Sequence, residues 1–435
     1  MEHLLEIINH LQLHITFFTI IVIYLSSSLL YKYMKIPTPH SIIVLSYIIH
    51  TFMPRLLVLG PKENFDHIVM FLIPIILMYD ALHFKWSYIK TYKKSLFYLA
   101  IVSVSLSIFL GAMLYQYKVF GVGISLAGYI TLYSMNMATD AISVGKIFKS
   151  FKNIIPDNIK ILVEGESLGN DATAVIAFYF IGLPWLLKGN FDLSMIPIIA
   201  FKVYFLSIAI GLLVSTISFH ILTLFDVQKQ ELLIFLGTSY FAFILGELFE
   251  VSGILSLIVA IISLKYYIEK LLNIEKGESK TNEFLFKYLK KKVTTITNQK
   301  NIQNSLEVFS FLGAILIFVV FSYLIDIDKL LLYKKEILIL FLTTTFIRMF
   351  VMFIFYIIGK TTSFFPNIKS MGYTLLVLAG IKGNLSIIML HSLPVDYEYY
   401  NMFEQLTIGN ILLSTYVYGL LLVGYMIYQN RKKNL

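Results

Sequence analysis

Apolar stretches long enough to cross a bilayer recur along the whole chain, and nothing else limits its fold so strongly. A crossing needs about 20 apolar residues. Such stretches lie near 14–34, 40–59, 66–84, 95–116, 120–145, 160–186, 194–224, 230–249, 252–268, 305–325, 336–359, 371–391 and 404–428, thirteen in all. Between the eighth and ninth, Gly246 to Gly253 reads as a break or a tight turn. Hydrocarbon offers no hydrogen-bond partners, so each crossing has to satisfy its own backbone and is read as a helix. The predicted fold class is an all-α polytopic membrane protein of about 13 transmembrane helices.

Composition agrees and removes other function classes. The chain has 435 residues, 58% hydrophobic and 14% charged, against about 25% charged in soluble domains. With no cysteine, disulfides, thiolate metal sites and cysteine nucleophiles are excluded. The net charge of +9 invites a nucleic-acid reading, but the lysines sit in short segments between apolar runs, as in cytoplasmic membrane loops. Residues 1–12 hold Glu2 and Glu6 but no Lys or Arg, so they do not read as a cleavable signal.

Positive charge sets the predicted orientation. With the N-terminus outside, the inner segments carry Lys32 and Lys35, Lys85 to Lys94, Lys146 to Lys160, Lys229, the lysines of 265–304, Lys360, Lys369 and the tail Arg431, Lys432 and Lys433. The outer loops hold only Lys62, Lys118, Lys188, Lys329, Lys334 and Lys335, while Arg55, Lys202, Arg348 and Lys382 fall within spans. This asymmetry predicts an external N-terminus and a cytoplasmic C-terminus in the inner membrane. The Lys-rich segment 269–304 is the only extended polar stretch. It reads as a solvated inner loop, and 431–435 as a cytoplasmic tail. No soluble domain is predicted.

Against this background, Val163 to Phe178 (VEGESLGNDATAVIAF) is anomalous: Glu164, Glu166, Ser167, Asn170 and Asp171 crowd one span. A charge at the bilayer centre costs at least about 2.5–3.5 kcal/mol on insertion scales. At helical spacing the five side chains share about 160° of the surface, leaving Leu168, Ala172, Val175 and Ile176 to the other side. Asn170 and Asp171 stand one turn beyond Glu166 and Ser167, so their oxygens can converge on a small ligand. Oxygen-rich clusters in membranes bind cations or relay protons.

Other polar groups interrupt other spans. Thr139 and Asp140, after Thr131, Ser134 and Asn136, suit a fifth helix that unwinds in mid-membrane, where loose backbone is tolerated only inside protein or along a cavity. Gly380 and Gly383 flank Lys382 in the twelfth span, a second plausible break. Two interrupted spans in opposite halves of a chain point to a transporter binding site. Arg348 lies far from either end of its span and needs a carboxylate partner, for which Glu166 or Glu164 is the candidate. Asp80 closes the third span and either joins a cation route or marks the approach to the inner loop. Glu247 and Glu250 read as structural residues near the outer surface. Gly121, Gly123 and Gly128 follow no strand and make no dinucleotide fingerprint, and the histidines show no metal-ligand spacing.

Assembled, these residues resemble the monovalent cation:proton antiporters of the NhaP/NHE-type branch. GESLGNDATAVIAF (Gly165–Phe178) is similar to that branch's most specific motif, and ATDAISV (Ala138–Val144) to its ATDP-type motif. Gly246–Ala260, Leu378–Pro394 and Tyr79–Leu82 resemble three further segments, in the expected order. The resemblance implies an NhaA-like antiporter fold of inverted repeats with two crossing broken helices. It implies scaffold and dimer helices at about 14–84 and 230–325, core helices at about 95–186 and 336–428, a linker helix at about 194–224, and a homodimer in the lipid bilayer. It also implies Asp171 as the Na⁺- and proton-binding carboxylate, Ser167 and the Thr139 backbone as Na⁺ ligands, Asn170 as neighbour and Asp80 as a further ligand. Glu166 and Arg348 would form an ion pair beside the site, and Asp140 and Lys382 would balance helix ends.

The chain departs from the pattern at three places. Ala141 stands for the usual Pro, Lys382 for an Arg, and Asp80 for the common Glu. The expected activity is exchange of Na⁺ (or Li⁺) for H⁺ with no cofactor, no enzymatic chemistry and no nucleic-acid partner. K⁺/H⁺ exchange is the alternative within the fold. A cation channel is the alternative outside it, though no filter-like repeat is present.

Overall fold

The computed structural model describes residues 2–34, 36–58, 65–151, 154–189, 192–225, 228–275, 299–383 and 385–434. Most of the Lys-rich segment 269–304 therefore lies outside the described residues, as does Asn384. In chain order the helices are α1 (Glu2–Met34), α2 (Thr38–Phe52), α3 (Phe65–His83), α4 (Trp86–Tyr117), α5 (Leu126–Met135), α6 (Ala141–Ser150), α7 (Asp157–Lys188) and α8 (Leu193–Leu222). They continue as α9 (Gln228–Leu248), α10 (Gly253–Glu275), α11 (Gln299–Tyr323), the short α12 (Ile327–Leu332), α13 (Lys334–Thr361), α14 (Ser370–Leu378), α15 (Leu385–His391) and α16 (Tyr400–Lys432). Taking α5 with α6 and α14 with α15 as two broken crossings, and setting α12 aside, gives the thirteen spans expected. Among the described residues, seven are long and apolar enough to cross a membrane, by length and composition alone. The others are short (α2), broken (α5–α6, α14–α15), apolar over only part of their length (α3 at Met70–His83, α11 at Val308–Tyr323) or polar at one end (α10).

Local chemistry sets the ends. Pro37 and Pro156 precede the first residues of α2 and α7, where a missing N–H costs nothing. Asp157 in the first turn of α7 faces the positive end of the helix dipole. α2 stops at Phe52, short of the expected 59, because Pro54 disfavours helix at the residue before it. Arg55 consequently lies outside the span assigned to it, exposed, its carbonyl accepting from Gln12 Nε2 at 2.7 Å. Gly121 and Gly123 likewise fall in the turn before α5, where Gly121 takes φ +70°.

The Gly246–Gly253 segment is a tight turn. A Cβ at Gly246 would overlap Gly253. Val251 N–H donates to Gly246 O at 2.9 Å, and Gly253 N–H to Glu247 Oε1 at 3.1 Å. Glu247 thus caps α10, a structural use of the kind expected.

The helices pack as two groups. In the first, α8 packs on α9 and α10, α10 on α3, and α11 on α2 and α3. Pro74 removes one internal bond of α3, and α9 braces the helix there: Ser239 Oγ donates to Pro74 O and Tyr240 Oη to Phe71 O, both at 2.6 Å. In the second group, α4, α5 and α6 pack on α7, and α13 on α4 and α16. Ile147 of α6, Leu162 of α7, Phe355 of α13, Leu376 of α14 and Leu422 of α16 belong to one buried core. The groups meet where α3, α8 and α10 touch α7, where α3 touches α15 and where α2 touches α16.

Candidate cation-binding site

The site begins with the two glycines of GESLG. Gly165 and Gly169 stand four apart on one face of α7, and a Cβ on either would overlap α4 or the residues leading into it: Leu96 and Phe84 at Gly165, Ala100 at Gly169. Such small-xxx-small spacing lets two helix backbones approach closely. Thr173, four further on, donates to Ala100 O at 2.7 Å, within the π turn Tyr98–Val102 of α4. One face of α7 is thereby seated against α4, and the polar face is presented to the breaks of α5–α6 and α14–α15.

That polar face holds the first break in place. Ser167 Oγ donates to Thr139 O at 2.7 Å, and Asn170 Nδ2 to Thr139 Oγ1 at 2.6 Å. The second break crosses the first through backbone. Asp140 N–H donates to Ile381 O at 2.8 Å, and Thr139 and Lys382 form an antiparallel bridge. Lys382 N–H continues to Ser414 Oγ on α16 at 3.1 Å.

Four helix ends therefore meet in mid-protein, the C-termini of α5 and α14 and the N-termini of α6 and α15. Each end carries about half a charge, and the fixed charges have the compensating sign. Asp140 precedes α6 and accepts from Ser143 Oγ, while buried Lys382 follows α14.

Arg348 on α13 completes the frame. Its guanidinium donates to Glu166 Oε1 and Oε2 at 2.7 and 3.2 Å, to Leu376 O at 2.7 Å and to Val377 O at 3.1 Å. One side chain thus neutralises a buried carboxylate and caps two terminal carbonyls of α14. Of the two partners the sequence offered, Glu166 takes the pair, and Glu164 is exposed. Gly380 is required beside it, since a Cβ there would overlap Arg348 Nε and Cδ. Gly380→Ala should cost about 1–3 kcal/mol by overpacking, read as a lower melting midpoint in detergent. Gly383→Ala is the control, because a Cβ there stands 3.5 Å from Asp140 Cβ, an ordinary contact. Equal midpoints for the two variants would refute the close fit.

In front of this frame lies a small cavity lined by Asp80, Thr139, Asp140, Ser167 and Asp171, with apolar walls from α3, α11 and α15. Five of the residues singled out in the sequence thus share one space. Glu166, Arg348, Asn170 and Lys382 do not line it. Asn170 braces Thr139 through its Nδ2, and among the described residues its buried Oδ1 has no hydrogen-bond partner. Three carboxylates within apolar walls repel one another and lack full solvation, and binding a cation or a proton relieves both costs.

The sequence reading missed Ser414, which carries no signal inside an apolar run, and the glycine pair of α7, whose spacing was legible. It also missed the buried contact of Asn136 with Thr407 and Asn410, at 3.3 and 2.8 Å.

A crossing of two interrupted helices in front of an acidic cavity defines a secondary transporter. The transmembrane sodium/hydrogen exchanger family model matches residues 17–427, and the chain belongs to that family. It is a multi-span membrane transporter of the cation:proton antiport class, not an enzyme. It is 26% identical over 379 residues to the Na⁺/H⁺ antiporter NhaH of Halobacillus dabanensis, covering 82% of this chain and 81% of the relative. To the Na⁺/H⁺ antiporter NhaG of Bacillus atrophaeus it is 28% identical, covering 58% of this chain and 49% of the relative. The solved structure of the sodium proton antiporter MjNhaP1 from Methanocaldococcus jannaschii at pH 8 shares the fold. Its TM-score is 0.69 at 18% identity, over 95% of this chain and 100% of that one.

Proposed function

We propose that the protein exchanges Na⁺ for H⁺, one for one, by competition of the two ions for Asp171. The observation that carries this reading is the shared cavity of Asp171, Asp80, Thr139, Asp140 and Ser167. Asp171 binds either ion, while Ser167 Oγ and Thr139 O, already hydrogen-bonded to each other, each keep a lone pair for a dehydrated cation. Asp80 completes the ligands from the facing helix group, and Asp140 and Lys382 offset the helix ends. If the empty, charged site cannot cross the membrane, movement of one ion obliges return of the other.

Several features support the wider arrangement. The helix group containing α7, α13 and the two breaks moves as the core against α1–α3 and α9–α11, with α8 as linker and a homodimer formed through the scaffold. The lysine asymmetry favours an external N-terminus and an internal C-terminus in the plasma (inner) membrane. Reconstituted protein with an internal pH dye tests the activity. Na⁺ and Li⁺ should drive proton movement at carrier rates. A response to K⁺ alone would reassign the substrate, and uncoupled current would replace the carrier with a channel.

Stoichiometry follows from Asn170 beside Asp171. Asn170 does not titrate, so the pair offers one exchangeable negative charge, and where Asp80, Asp140 and Lys382 keep their protonation through the cycle the site carries the same net charge with either ion. The exchange should be electroneutral. Membrane potential contributes about 2.3 kcal/mol per charge per 100 mV. With proteoliposomes clamped by valinomycin and K⁺, the Na⁺ gradient that balances a fixed pH gradient should be independent of potential. A shift with potential would overturn the single-carboxylate cycle.

A further inference from the structure

Lys265 belongs by sequence to the inner-loop lysines, but the structure places it within α10 and only 6% exposed. Long cationic side chains are almost never buried without a specific use. Its ammonium donates to Leu82 O and, at 3.5 Å, to Phe84 O, and it lies 4.0 Å from Glu269 Oε1. Leu82 and Phe84 bracket the end of α3, where terminal carbonyls have no intrahelical donor. A cation there meets both the unpaired carbonyls and the negative end of the helix dipole.

The turn that Lys265 closes is the one that carries Asp80. Phe84 N–H donates back to Asp80 O at 3.3 Å, so Asp80 lies in the last hydrogen-bonded turn of α3 while its side chain lines the cavity. Pro74 has already removed a bond from the middle of this helix, and Ser239 and Tyr240 brace only that middle. Lys265 supplies side-chain bonds to Leu82 O and Phe84 O, beyond the last turn's own contact of His83 Nδ1 with Tyr79 O at 2.9 Å.

We infer that Lys265 is a positioning residue for the cation site, locking the final turn of α3 so that Asp80 is held toward the cation and sets its affinity. The inference rests on the reading of Asp80 as a ligand. Lys265 itself does not line the cavity, so its effect passes through the helix end.

The test is the Na⁺ dependence of exchange in proteoliposomes at fixed pH, for Lys265→Met, Lys265→Arg, Asp80→Asn and the double variant Lys265→Met/Asp80→Asn. Lys265→Met should raise the Na⁺ concentration for half-maximal exchange about tenfold, equivalent to about 1.4 kcal/mol, with the maximal rate little changed. Lys265→Arg should restore the wild-type value. In the Asp80→Asn background, Lys265→Met should add no further shift. A lysine that served only folding would lower the maximal rate at unchanged half-saturation, or its effect would multiply with that of Asp80→Asn; either result overturns the positioning role. If Lys265→Met yields no protein, Lys265→Gln, which keeps a donor but no charge, should show an intermediate shift, and a wild-type value there overturns the role too. A wild-type half-saturation in Asp80→Asn would sink the ligand reading itself. A wild-type value in Lys265→Met beside a shifted Asp80→Asn would sink only the positioning role.

Discussion

Asp171→Asn is expected to reduce Na⁺-driven proton movement to the rate of protein-free liposomes, while the purified protein melts no earlier than wild type. The two halves of this result have separate causes. Asn keeps the size and a carbonyl oxygen, so packing in α7 and the cavity wall survives. What disappears is the charge for which proton and cation compete. Because three carboxylates share the cavity, deleting one relieves repulsion and should leave the fold as stable or more so. Assaying dye-reported exchange and thermal unfolding on the same preparation checks both. Residual exchange at the wild-type level would remove Asp171 from the mechanism. A large drop in melting midpoint would instead give it a structural role.

Arg348→Ala should show the reverse pattern, with stability failing first. The substitution strands Glu166 as a buried charge, 2% exposed, and uncaps Leu376 O and Val377 O at the end of α14. Removing one partner of a buried ion pair costs about 3–5 kcal/mol, so yield in detergent and melting midpoint should both fall. Glu166→Gln should be milder, since the amide still offers an oxygen to the guanidinium. An unchanged midpoint for Arg348→Ala would show that the pair contributes nothing to holding the crossing.

The contrast between these residues shows what a sequence can convey about such a protein. Span number was legible because hydrocarbon demands long apolar helices, and helix-terminating signals such as Pro54 shift only their ends. The residues gathered at the cavity and its frame were legible because carboxylates, Asn and Thr are costly inside apolar runs, so each marks itself. Their partnerships were less so. Glu164 and Glu166 look equivalent in composition, and only the rotation of α7, fixed by Gly165 and Gly169 against α4, turns one to Arg348 and the other outward. Lys265 was misplaced because a lysine near a span end looks the same whether it meets water or a neighbouring helix terminus. Ser414 was invisible, since a hydroxyl serving a distant backbone N–H leaves no periodic trace.

The crossing of the broken helices has a consequence for how the sequence can drift. Its central bond runs from Asp140 N–H to Ile381 O, between groups that every residue but proline possesses. Replacing the side chain of Asp140 or Ile381 therefore leaves the donor and acceptor of this bond in place. Ala141, the first residue of α6, occupies a position where an N–H is dispensable, so proline or alanine can stand there without touching the joint. A proline one residue earlier would sever it. Tolerance and prohibition thus sit on adjacent positions, and the boundary between them is drawn by a single main-chain hydrogen.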